Sequence, residues 1–544
     1  MSLHIMRFPK PRGNTCDDAS GKCGKIAQGQ SLHIKALEPF ARCHTMPQIP
    51  QVADFYEGKS ILLTGASGYL GVILLETLLR CFPGIRSIYI LLREKRGVQP
   101  ECRKEQIFKK KIFTKLKEKQ TGVLKKVHVI AGDVTLPRIG MSQVDFLKVI
   151  QEVTIVFHVA ASISFMKPLR FMLKHNAKAL DYVIDLCKEL KKIDVLVYTS
   201  TAYSNCNRQE VEEQIYRLPF PAQRFLDELN KDTDDGLNYL ATQCLPKWPN
   251  NYTFSKCLSE NILLEKATEF PTAIIRPSII ISCWKGIMPG YIEEGSGMVD
   301  LGLAIGKGFV RVLRGNPGVK IDIIPVDVVA NAHIAAAWSV AAKRSSSPLV
   351  VNCTSSDVSE CTLHDYTSTL FNMTMKHPLP KSYQKQSITI QKNFVLYWLF
   401  SLFEHYAPAI VIDAILNISG RKPKLLSLYR FYEKAMDSLL YFLTNEWNFH
   451  TQNLKQLERQ LNPEEKENLY LDLQGFSVNE MARTLPEGAP FYEWEIDPKR
   501  IAERKRVTHL RYMLTSCIKA VVLALVFSAI YIILFPFYQA VTAH

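Results

Sequence analysis

Short apolar runs alternate with longer amphipathic segments through most of the chain. Each run is rich in valine, isoleucine or leucine, which is typical of the buried strands of a parallel sheet. The runs are Ser60–Leu63, Ser87–Leu92, Lys126–Ala131, Val153–Val159, Asp194–Thr199, Thr272–Ile281 and Ile321–Val329. Helical spacing fills Val72–Arg80, Cys102–Lys119 and Phe171–Lys191 between them. In the last of the runs, Pro325, Val326 and Asp327 predict a turn from strand to helix, with Asp327 near the helix N-cap. Strands that alternate with helices predict an α/β fold with a doubly wound parallel sheet.

The pattern changes after residue 355, where helical segments replace the alternation. Phe394–Ile418 is strongly apolar, and Leu425–Tyr441 has helical spacing. The apolar segment is interrupted by Glu404, His405, Pro408 and Asp413. Because charged residues are costly inside a bilayer, we expect a helical hairpin there, buried or lying in the membrane interface. The region predicts a small helical C-terminal domain.

A second apolar segment near the end of the chain carries no formal charge. Ala520–Tyr538 is nineteen residues long, about the length that a bilayer core demands. A buried hydrophobic helix, or a hairpin broken at Pro536, is the alternative. Basic residues precede the segment at Arg500, Arg504, Lys505, Arg506 and Arg511. The positive-inside bias therefore predicts a single-pass helix whose preceding domains face the cytosol.

These patterns divide the chain into five parts. We predict a disordered N-terminal extension over residues 1–50, an α/β domain over 51–355, a helical domain over 356–480, a basic juxtamembrane linker over 481–513 and a transmembrane helix over 514–538. The first fifty residues are rich in Gly, Pro, Cys and Lys without clear periodicity. They contain no long apolar run, so we expect no secretory signal peptide.

Composition narrows the possible partners and the compartment. The net charge is +15, and residues 103–126 alone carry ten Lys or Arg. A basic chain can bind nucleic acid, a membrane surface or an anionic substrate. We find no helix-turn-helix, zinc-finger or RNA-binding signature, and so predict no nucleic-acid partner. The 13 cysteines are scattered and include no Cys-x-x-Cys pair, which suits a reducing compartment and indicates no metal site.

Glycines mark the turn between the first predicted strand and its helix. Residues 64–71 read TGASGYLG, with Gly-x-x-Gly-x-x-Gly spacing. Glycines at such a turn let the backbone approach a pyrophosphate, whose charge the amides at the helix N-terminus stabilise. A turn without a ligand is the alternative, and the flanking strand and helix disfavour it. The predicted cofactor-binding residues here are Thr64, Gly65, Ser67, Gly68, Tyr69, Leu70 and Gly71.

The residue at the end of the second strand selects the dinucleotide. An acidic residue there bonds a ribose 2′-hydroxyl, whereas an arginine accommodates a 2′-phosphate. Arg93 holds this position. The sequence therefore favours NADPH over NADH, with a solvated arginine at the strand end as the alternative.

A tyrosine and a lysine four residues apart form the candidate catalytic pair. Tyr252 and Lys256 fall on one face of a predicted helix, one turn from each other. An ammonium near a phenol is expected to lower the tyrosine pKa from its usual value near ~10. Such a tyrosine can protonate a carbonyl oxygen as hydride reaches the carbon. An ordinary surface pair is the alternative.

The motifs together resemble the extended short-chain dehydrogenase/reductase superfamily and, within it, the fatty acyl-CoA reductase family. The matching segments are TGASGYLG, LLR, GDV, STAYSN, YTFSK, RPS and IPVDVVANAH, followed by LLSLYRFYEKAMDSLLYFLTNEW of the C-terminal male-sterility domain. The resemblance implies a Rossmann domain over residues 51–355. It does not extend to the first fifty residues, and residues 481–494 match weakly.

The resemblance also implies further site residues. Asp133 would bond the adenine amino group, with a helix cap as the alternative, and the small Ala160 would lie beside the cofactor ribose. Val134 and Pro277 complete the predicted cofactor set. Thr201 is the last of three consecutive hydroxyl residues and would position the substrate oxygen. Its alternative role is to satisfy backbone groups at the strand end.

The reaction that the resemblance implies is reduction of a long-chain acyl-CoA by NADPH, through a thiohemiacetal and an aldehyde, to a fatty alcohol. Tyr252 would be the acid in both steps, Thr201 the positioning donor, and Lys256 the ribose ligand that tunes the tyrosine. The apolar run near Phe394 would form or cover the acyl tunnel. The basic residues 103–126 would meet CoA phosphates or anionic lipid, or else form a solvated helix face.

Two other functions fit the same motifs. One is another membrane-anchored reductase, such as a steroid or sterol dehydrogenase, which the long helical region after residue 355 disfavours. The other is a non-catalytic NADPH-binding scaffold, which the Tyr252, Lys256 and Thr201 set disfavours. Membrane lipid is the second expected partner, at the endoplasmic reticulum or the peroxisome. A glycosylation sequon at Asn251 overlaps the proposed acid, which favours a cytosolic catalytic domain.

Overall fold

The computed structural model describes residues 50–120, 122–293, 297–345, 347–377, 379, 382, 387–490 and 498–542. Apart from Pro50, the predicted disordered extension lies outside the described residues. So do residues 491–494 of the weakly matching segment.

Each predicted run contains at least one strand, and five of the thirteen strands in the described residues lie outside those runs. They are β1 Ser60–Thr64, β2 Ser87–Leu92, β3 Val127–Ala131, β4 Ile155–His158, β5 Val195–Thr199, β6 Glu210–Val211, β7 Thr272–Pro277, β8 Ile279–Ile281, β9 Val312–Arg314, β10 Ile323–Pro325, β11 Leu349–Cys353, β12 Thr389–Gln391 and β13 Asn448–Phe449.

The α-helices of the described residues connect these strands and then form the C-terminal region. They are α1 Val52–Tyr56, α2 Tyr69–Cys81, α3 Pro100–Phe108, α4 Thr114–Lys119, α5 Gln143–Glu152, α6 Leu169–Met172, α7 Ala179–Glu189, α8 Ala222–Leu229, α9 Asp235–Cys244, α10 Asn251–Lys266, α11 Gly297–Gly306, α12 Val326–Lys343, α13 Leu363–Lys376, α14 Phe394–Ser401, α15 Ala407–Ile418, α16 Leu425–Leu439, α17 Gln452–Gln460, α18 Pro463–Asn468, α19 Val478–Gly488 and α20 Pro498–Thr542.

The main sheet has seven strands in the order β11-β7-β5-β4-β1-β2-β3, all parallel. Strand order reverses between β1 and β4, where Ile61 pairs with Ile155. In open α/β sheets, ligands bind at such a reversal, beyond the carboxyl ends of the strands. The predicted doubly wound Rossmann sheet is confirmed.

Both faces of the sheet are covered by apolar helices, which explains why its strands read as continuous hydrophobic runs. One core joins the sheet to α2 and α12, and the other joins it to α5, α7 and α10. Two short pairings connect the C-terminal region to the nucleotide-binding region, because β9 pairs with β12 and β6 with β13. The two regions therefore share one folded body.

Three local predictions are wrong, two in the nucleotide-binding region and one in the apolar segment Phe394–Ile418. The run Thr272–Ile281 is two strands, because Ser278 ends β7 and β8 then pairs with β10 outside the main sheet. The predicted helix Cys102–Lys119 is divided into α3 and α4 by a turn of 3₁₀-helix at Lys111–Phe113. That turn buries Ile112 and Phe113 in the core, which a straight helix with that charge pattern would not do.

The apolar segment Phe394–Ile418 is also not a hairpin in itself. It is one helical stretch in which a π-turn, Leu402–Tyr406, joins α14 to α15. Pro408 lies in the first turn of α15, where its missing N–H is tolerated. The hairpin instead forms between α15 and α16, because the Asp413 carboxylate accepts hydrogen bonds from the backbone at Lys424, Leu425 and Leu426.

Two helical stretches of the described residues are long and apolar enough to cross a membrane. They are Phe394–Ile418 and Ala502–Phe535, the latter within α20. Part of the predicted linker 481–513 is therefore helical, since α20 begins at Pro498 and α19 covers Val478–Gly488.

Candidate active site

A cavity of about 1240 Å³ opens beyond the carboxyl ends of β1, β4 and β5. At one end lies the glycine-rich turn between β1 and α2, and at the other lies α16 from the helical region. The sheet and the C-terminal helices thus contribute to a single site. This position is the one expected for a ligand at the reversal of strand order.

The glycine-rich turn keeps side chains away from the start of α2. Gly65 has φ of +77°, and a Cβ there would lie 2.6 Å from the Ala160 nitrogen. A Cβ on Gly71 would lie 2.2 Å from the Gly65 oxygen. Both positions therefore require glycine, one for its backbone conformation and both for close packing. The resulting backbone surface at a helix N-terminus is suited to a phosphate group.

Nearly all predicted site residues line this one cavity. They are Gly65, Ser67, Gly68, Tyr69, Leu70, Gly71, Arg93, Asp133, Val134, Ala160, Thr201, Tyr252, Lys256 and Pro277. Thr64 differs, because it is fully buried behind the turn and its Oγ1 lies 2.8 Å from His158 Nδ1. The structure thus gives Thr64 a supporting position rather than a cavity-facing one.

Two arginines converge beside the glycine-rich turn. Arg93 donates to Asp133 at 3.2 Å, while Arg103 donates to the Ser67 hydroxyl at 2.8 Å and to the Arg93 carbonyl at 2.7 Å. Burial, and then the charge of Arg93, lower the pKa of Arg103. Two guanidinium groups and a hydroxyl in one corner form a setting in which a phosphate would be stabilised.

Asp133 is ordered by its own loop. Burial raises the pKa of Asp133, but hydrogen bonds from the backbone and hydroxyl of Thr135, and then the charge of Arg93, outweigh burial and hold it below the usual range. Asp133 Oδ1 accepts both Thr135 bonds at 2.9 Å. The carboxylate therefore stays ionised and fixed at the cavity edge, where it can accept a hydrogen bond.

Most lysines of the basic stretch 103–126 serve the fold. Lys104 donates to the Val127 carbonyl, Lys115 to the Ile287 carbonyl and Lys126 to the Ile85 carbonyl. Lys110 forms an ion pair with Glu293 at 2.6 Å. These side chains satisfy backbone carbonyls and a carboxylate elsewhere in the chain, so they do more than form a solvated helix face.

Lys256 is buried, and it contacts the strand before Thr201. Its Nζ donates to the Thr199 carbonyl at 2.7 Å and lies 4.8 Å from the centre of the Tyr198 ring. Burial lowers the pKa of Lys256 to about 7, and the Glu260 carboxylate partly opposes this. The lysine therefore anchors the end of β5, from which the chain continues into the candidate positioning residue.

The expected lowering of the tyrosine pKa is wrong for this structure. Burial raises the pKa of Tyr252 to about 12, and a hydrogen bond with the Thr201 hydroxyl acts in the other direction. The Lys256 ammonium donates to the Thr199 carbonyl. Tyr252 is thus a protonated phenol at neutral pH, which is the form that an acid needs.

A buried ion pair between Arg276 and Glu260 stabilises this part of the site. Arg276 donates twice to Glu260, at 2.9 and 2.7 Å, and both side chains are fully buried. Glu260 also accepts from the hydroxyls of Ser200 and Ser204, at 2.5 and 3.0 Å. The loop that carries Thr201 is therefore bonded on both sides to one carboxylate on α10.

Aromatic and apolar side chains close the opposite side of the cavity. The Phe165 ring stacks on Tyr252 at 5.5 Å between centres and meets Phe442 at 5.6 Å. The wall continues along α16 and the turn after it, through Leu428, Phe431, Tyr432, Ala435, Met436, Leu439 and Leu443. These spacings of three and four residues make one helix face. This surface is suited to an apolar chain rather than to a second charged ligand.

Comparison with known proteins agrees with this arrangement. A family model described as male sterility protein matches residues 63–333, and a second with that description matches residues 404–492. Fatty acyl-CoA reductase 1 of Gallus gallus is 33% identical over 461 residues, covering 85% of this chain and 90% of the relative. The chain belongs to the fatty acyl-CoA reductase family.

Other members and a solved structure extend this finding. Fatty acyl-CoA reductase 1 of Homo sapiens is 33% identical over 422 residues, covering 78% of this chain and 82% of the relative. The reductase domain of a nonribosomal peptide synthetase from Mycobacterium tuberculosis has a TM-score of 0.53 at 17% identity, over 79% of this chain and 91% of that one. That likeness concerns the fold. The prediction of an oxidoreductase of the fatty acyl-CoA reductase family is confirmed.

Two parts of the family member's site were not predicted from its sequence. Arg103 appeared only as the first member of a basic run, and its sequence position gave no sign that it reaches back to Ser67. The α16 wall was expected from the run near Phe394 instead. The regular apolar face of Leu425–Tyr441 was the available signal, but only the fold shows that this face lines the same cavity as Tyr252.

Proposed function

We propose that this chain reduces a long-chain fatty acyl-CoA to a fatty alcohol with NADPH, through a thiohemiacetal and an aldehyde. This proposal rests on one observation: the glycine-rich turn, the Tyr252–Thr201 pair and the apolar face of α16 all line the same cavity. Each part matches one component of the reaction: a dinucleotide, a carbonyl that becomes an alcohol, and a long acyl chain.

The residues present fit a dinucleotide with a 2′-phosphate. Gly65 and Gly71 let the turn pack closely on neighbouring backbone, because a Cβ at either position would collide with it. The N-terminus of α2 then lines the cavity, where a pyrophosphate can approach it. Arg93 and Arg103 would hold the 2′-phosphate, and Asp133 would accept from the adenine amino group. NADPH bound there would supply hydride to the substrate carbonyl carbon.

The chain's own contribution is proton delivery and orientation. Tyr252, with its raised pKa, carries the proton that the substrate oxygen requires as negative charge develops on it. The Thr201 hydroxyl would share that oxygen and fix its direction. The thiohemiacetal then loses CoA as a thiol when its C–S bond breaks, which gives the aldehyde. A second reduction at the same residues would give the alcohol.

We further propose that the protein acts at an intracellular membrane, the endoplasmic reticulum or the peroxisome. The support is the apolar stretch Ala502–Phe535 and the basic residues that precede its uncharged part. On this proposal α20 contains the single span over residues 514–538, and the domains over 51–355 and 356–480 face the cytosol.

The direct test is a reconstituted reaction. The purified full chain in lipid vesicles would be incubated with NADPH and acyl-CoAs of graded length, and the lipid products analysed. Fatty alcohol from long-chain substrates is expected, with free CoA released in equal amount. Oxidation of a steroid alcohol, without acyl-CoA reduction, would instead support the dehydrogenase alternative. NADPH binding without any turnover would support the scaffold.

Replacing Arg103 with alanine is expected to reduce the preference for NADPH over NADH about tenfold, since a charge-assisted bond to the 2′-phosphate is lost. The measurement is the ratio of kcat/KM for the two cofactors. Lys109→Ala is the matched control, because it removes a positive charge from an exposed residue at the end of the same helix. An unchanged ratio in Arg103→Ala would place the 2′-phosphate elsewhere.

A further inference from the structure

The outer face of α14 and α15 is covered with exposed apolar side chains. They are Phe394, Val395, Leu396, Trp398, Leu399, Phe400, Ile410, Ile415 and Ile418, with exposed fractions between 43 and 86%. The opposite face packs on the enzyme, through buried residues such as Tyr397, His405 and Ala409. A contiguous apolar face of this kind marks a contact with a protein or a membrane.

The position of α20 identifies the contact as a membrane. Lys519 on α20 pairs with Glu404 in the π-turn between α14 and α15, at 2.5 Å, and α20 packs along α15. Lys519 is the last charged residue before the uncharged run Ala520–Tyr538. Because the proposed span begins at residue 514, Lys519 and its partner Glu404 lie near the membrane surface. This places the exposed face of α14 and α15 against lipid head groups and upper acyl chains.

Charge at the end of α15 agrees with this placement. Arg421, Lys422 and Lys424 follow Ile418 and are exposed. Basic side chains beside an apolar helix attract the anionic head groups of a bilayer surface. The buried Asp413 and the ion-paired Glu404 make a full span by Phe394–Ile418 unfavourable, so this stretch lies along the surface.

The active-site cavity reaches the same side of the molecule. Leu428 and Phe431 line the cavity and are also 39 and 58% exposed. They lie in the first two turns of α16, whose N-terminus is bonded to Asp413 of α15. From Leu428 to Leu439 the helix rises about 17 Å, from this opening toward the aromatic residues beside Tyr252.

We propose that the acyl chain of the substrate enters the cavity sideways from the bilayer, through a mouth formed by Leu428 and Phe431. This inference rests on the proposed function, because it concerns the route of the same acyl-CoA. The thioester lies at Tyr252, the acyl chain follows α16, and its far end lies at the membrane surface. Such a substrate leaves lipid without exposing its whole chain to water, which avoids the cost of hydrating apolar surface.

The test compares two substrates in the full chain reconstituted in vesicles of phosphatidylcholine and phosphatidylserine. Palmitoyl-CoA partitions into the vesicles, whereas octanoyl-CoA is presented from water. In Phe431→Glu, the ratio of palmitoyl-CoA to octanoyl-CoA turnover is expected to fall about tenfold, because a charge in the mouth opposes passage of an apolar chain. Tyr239→Glu, at an exposed aromatic residue on α9 outside the cavity, is expected to keep the wild-type ratio.

The outcomes separate the route from the reaction. If wild-type protein reduced both substrates and Phe431→Glu kept the wild-type ratio, entry of the acyl chain at Leu428 and Phe431 would be ruled out. The proposed acyl-CoA reduction would still be supported. If wild-type protein reduced neither substrate, both the proposed function and the proposed entry route of the acyl chain would be rejected. NADPH binding by Phe431→Glu, followed by cofactor fluorescence, checks that this variant is folded.

Quenching by brominated lipid tests the membrane face independently. Trp398 is 52% exposed on α14, so quenching of tryptophan fluorescence is expected to be greater in wild-type protein than in Trp398→Phe. Equal quenching in the two proteins, with cross-linking of chains through α14, would show that a second copy covers the face and would overturn the lateral route.

Discussion

Tyr252→Phe is expected to lower the rate of acyl-CoA reduction on the order of 10²–10⁴-fold, the range that one positioned proton donor contributes. The tyrosine is the protonated phenol beside the Thr201 hydroxyl, and burial raises its pKa to about 12. Phenylalanine keeps the ring that stacks on Phe165 and removes only the hydroxyl. The fold and the glycine-rich turn should therefore be unchanged, while the proton donor is lost.

The measurement is kcat for fatty alcohol formation by the vesicle-reconstituted protein, beside NADPH binding followed by fluorescence. Tyr239→Phe removes the same atom from an exposed residue outside the cavity and should retain wild-type kcat. A Tyr252→Phe variant within a few-fold of wild type would assign proton donation to another group. Lost NADPH binding in that variant would instead indicate a structural role for the hydroxyl.

Arg276→Met should destabilise the folded protein by about 3–5 kcal/mol, the usual cost of leaving one partner of a buried ion pair without its counter-charge. Both Arg276 and Glu260 are fully buried. The arginine also donates to the carbonyls of Glu212 and Gln214, which lose their partner. The effect should appear as a large shift of the denaturant midpoint, followed by circular dichroism in detergent.

The double variant Glu260→Gln with Arg276→Met is the informative companion. Glutamine keeps an oxygen for the Ser200 and Ser204 hydroxyls but carries no charge, so at least half of the lost stability should return. Lys320→Met removes a cation from the exposed pair with Glu360 and should change the midpoint little. A double variant as unstable as Arg276→Met would show that the backbone bonds, and not the charge, carry the effect.

Local sequence patterns predicted the elements that depend on local physics. Buried strands on a two-sided sheet must be apolar throughout, so runs such as Ser87–Leu92 were visible from composition alone. The turn at Gly65 and Gly71 was visible because only glycine tolerates those positions. Both features lie within a few residues of the chain, and neither requires knowledge of distant neighbours.

Predictions of which groups a side chain contacts were less accurate. The four-residue spacing of Tyr252 and Lys256 correctly gave a shared helix face and a shared cavity. It could not show that the lysine donates to the Thr199 carbonyl, or that burial raises the pKa of the tyrosine instead of lowering it. For a similar reason the sequence could not show that the Thr64 hydroxyl faces His158 rather than the cavity.

The sequence by itself determined the family, the parallel sheet and most residues of the candidate site, because each is written in short segments with their own spacing. Only the tertiary structure decided that α16 lines the same cavity as Tyr252, that Arg103 donates to the Arg93 carbonyl, and that α14 and α15 lie beside α20. These contacts join segments from ten to nearly two hundred residues apart. Their geometry depends on how the helices pack on the sheet, which no local pattern encodes.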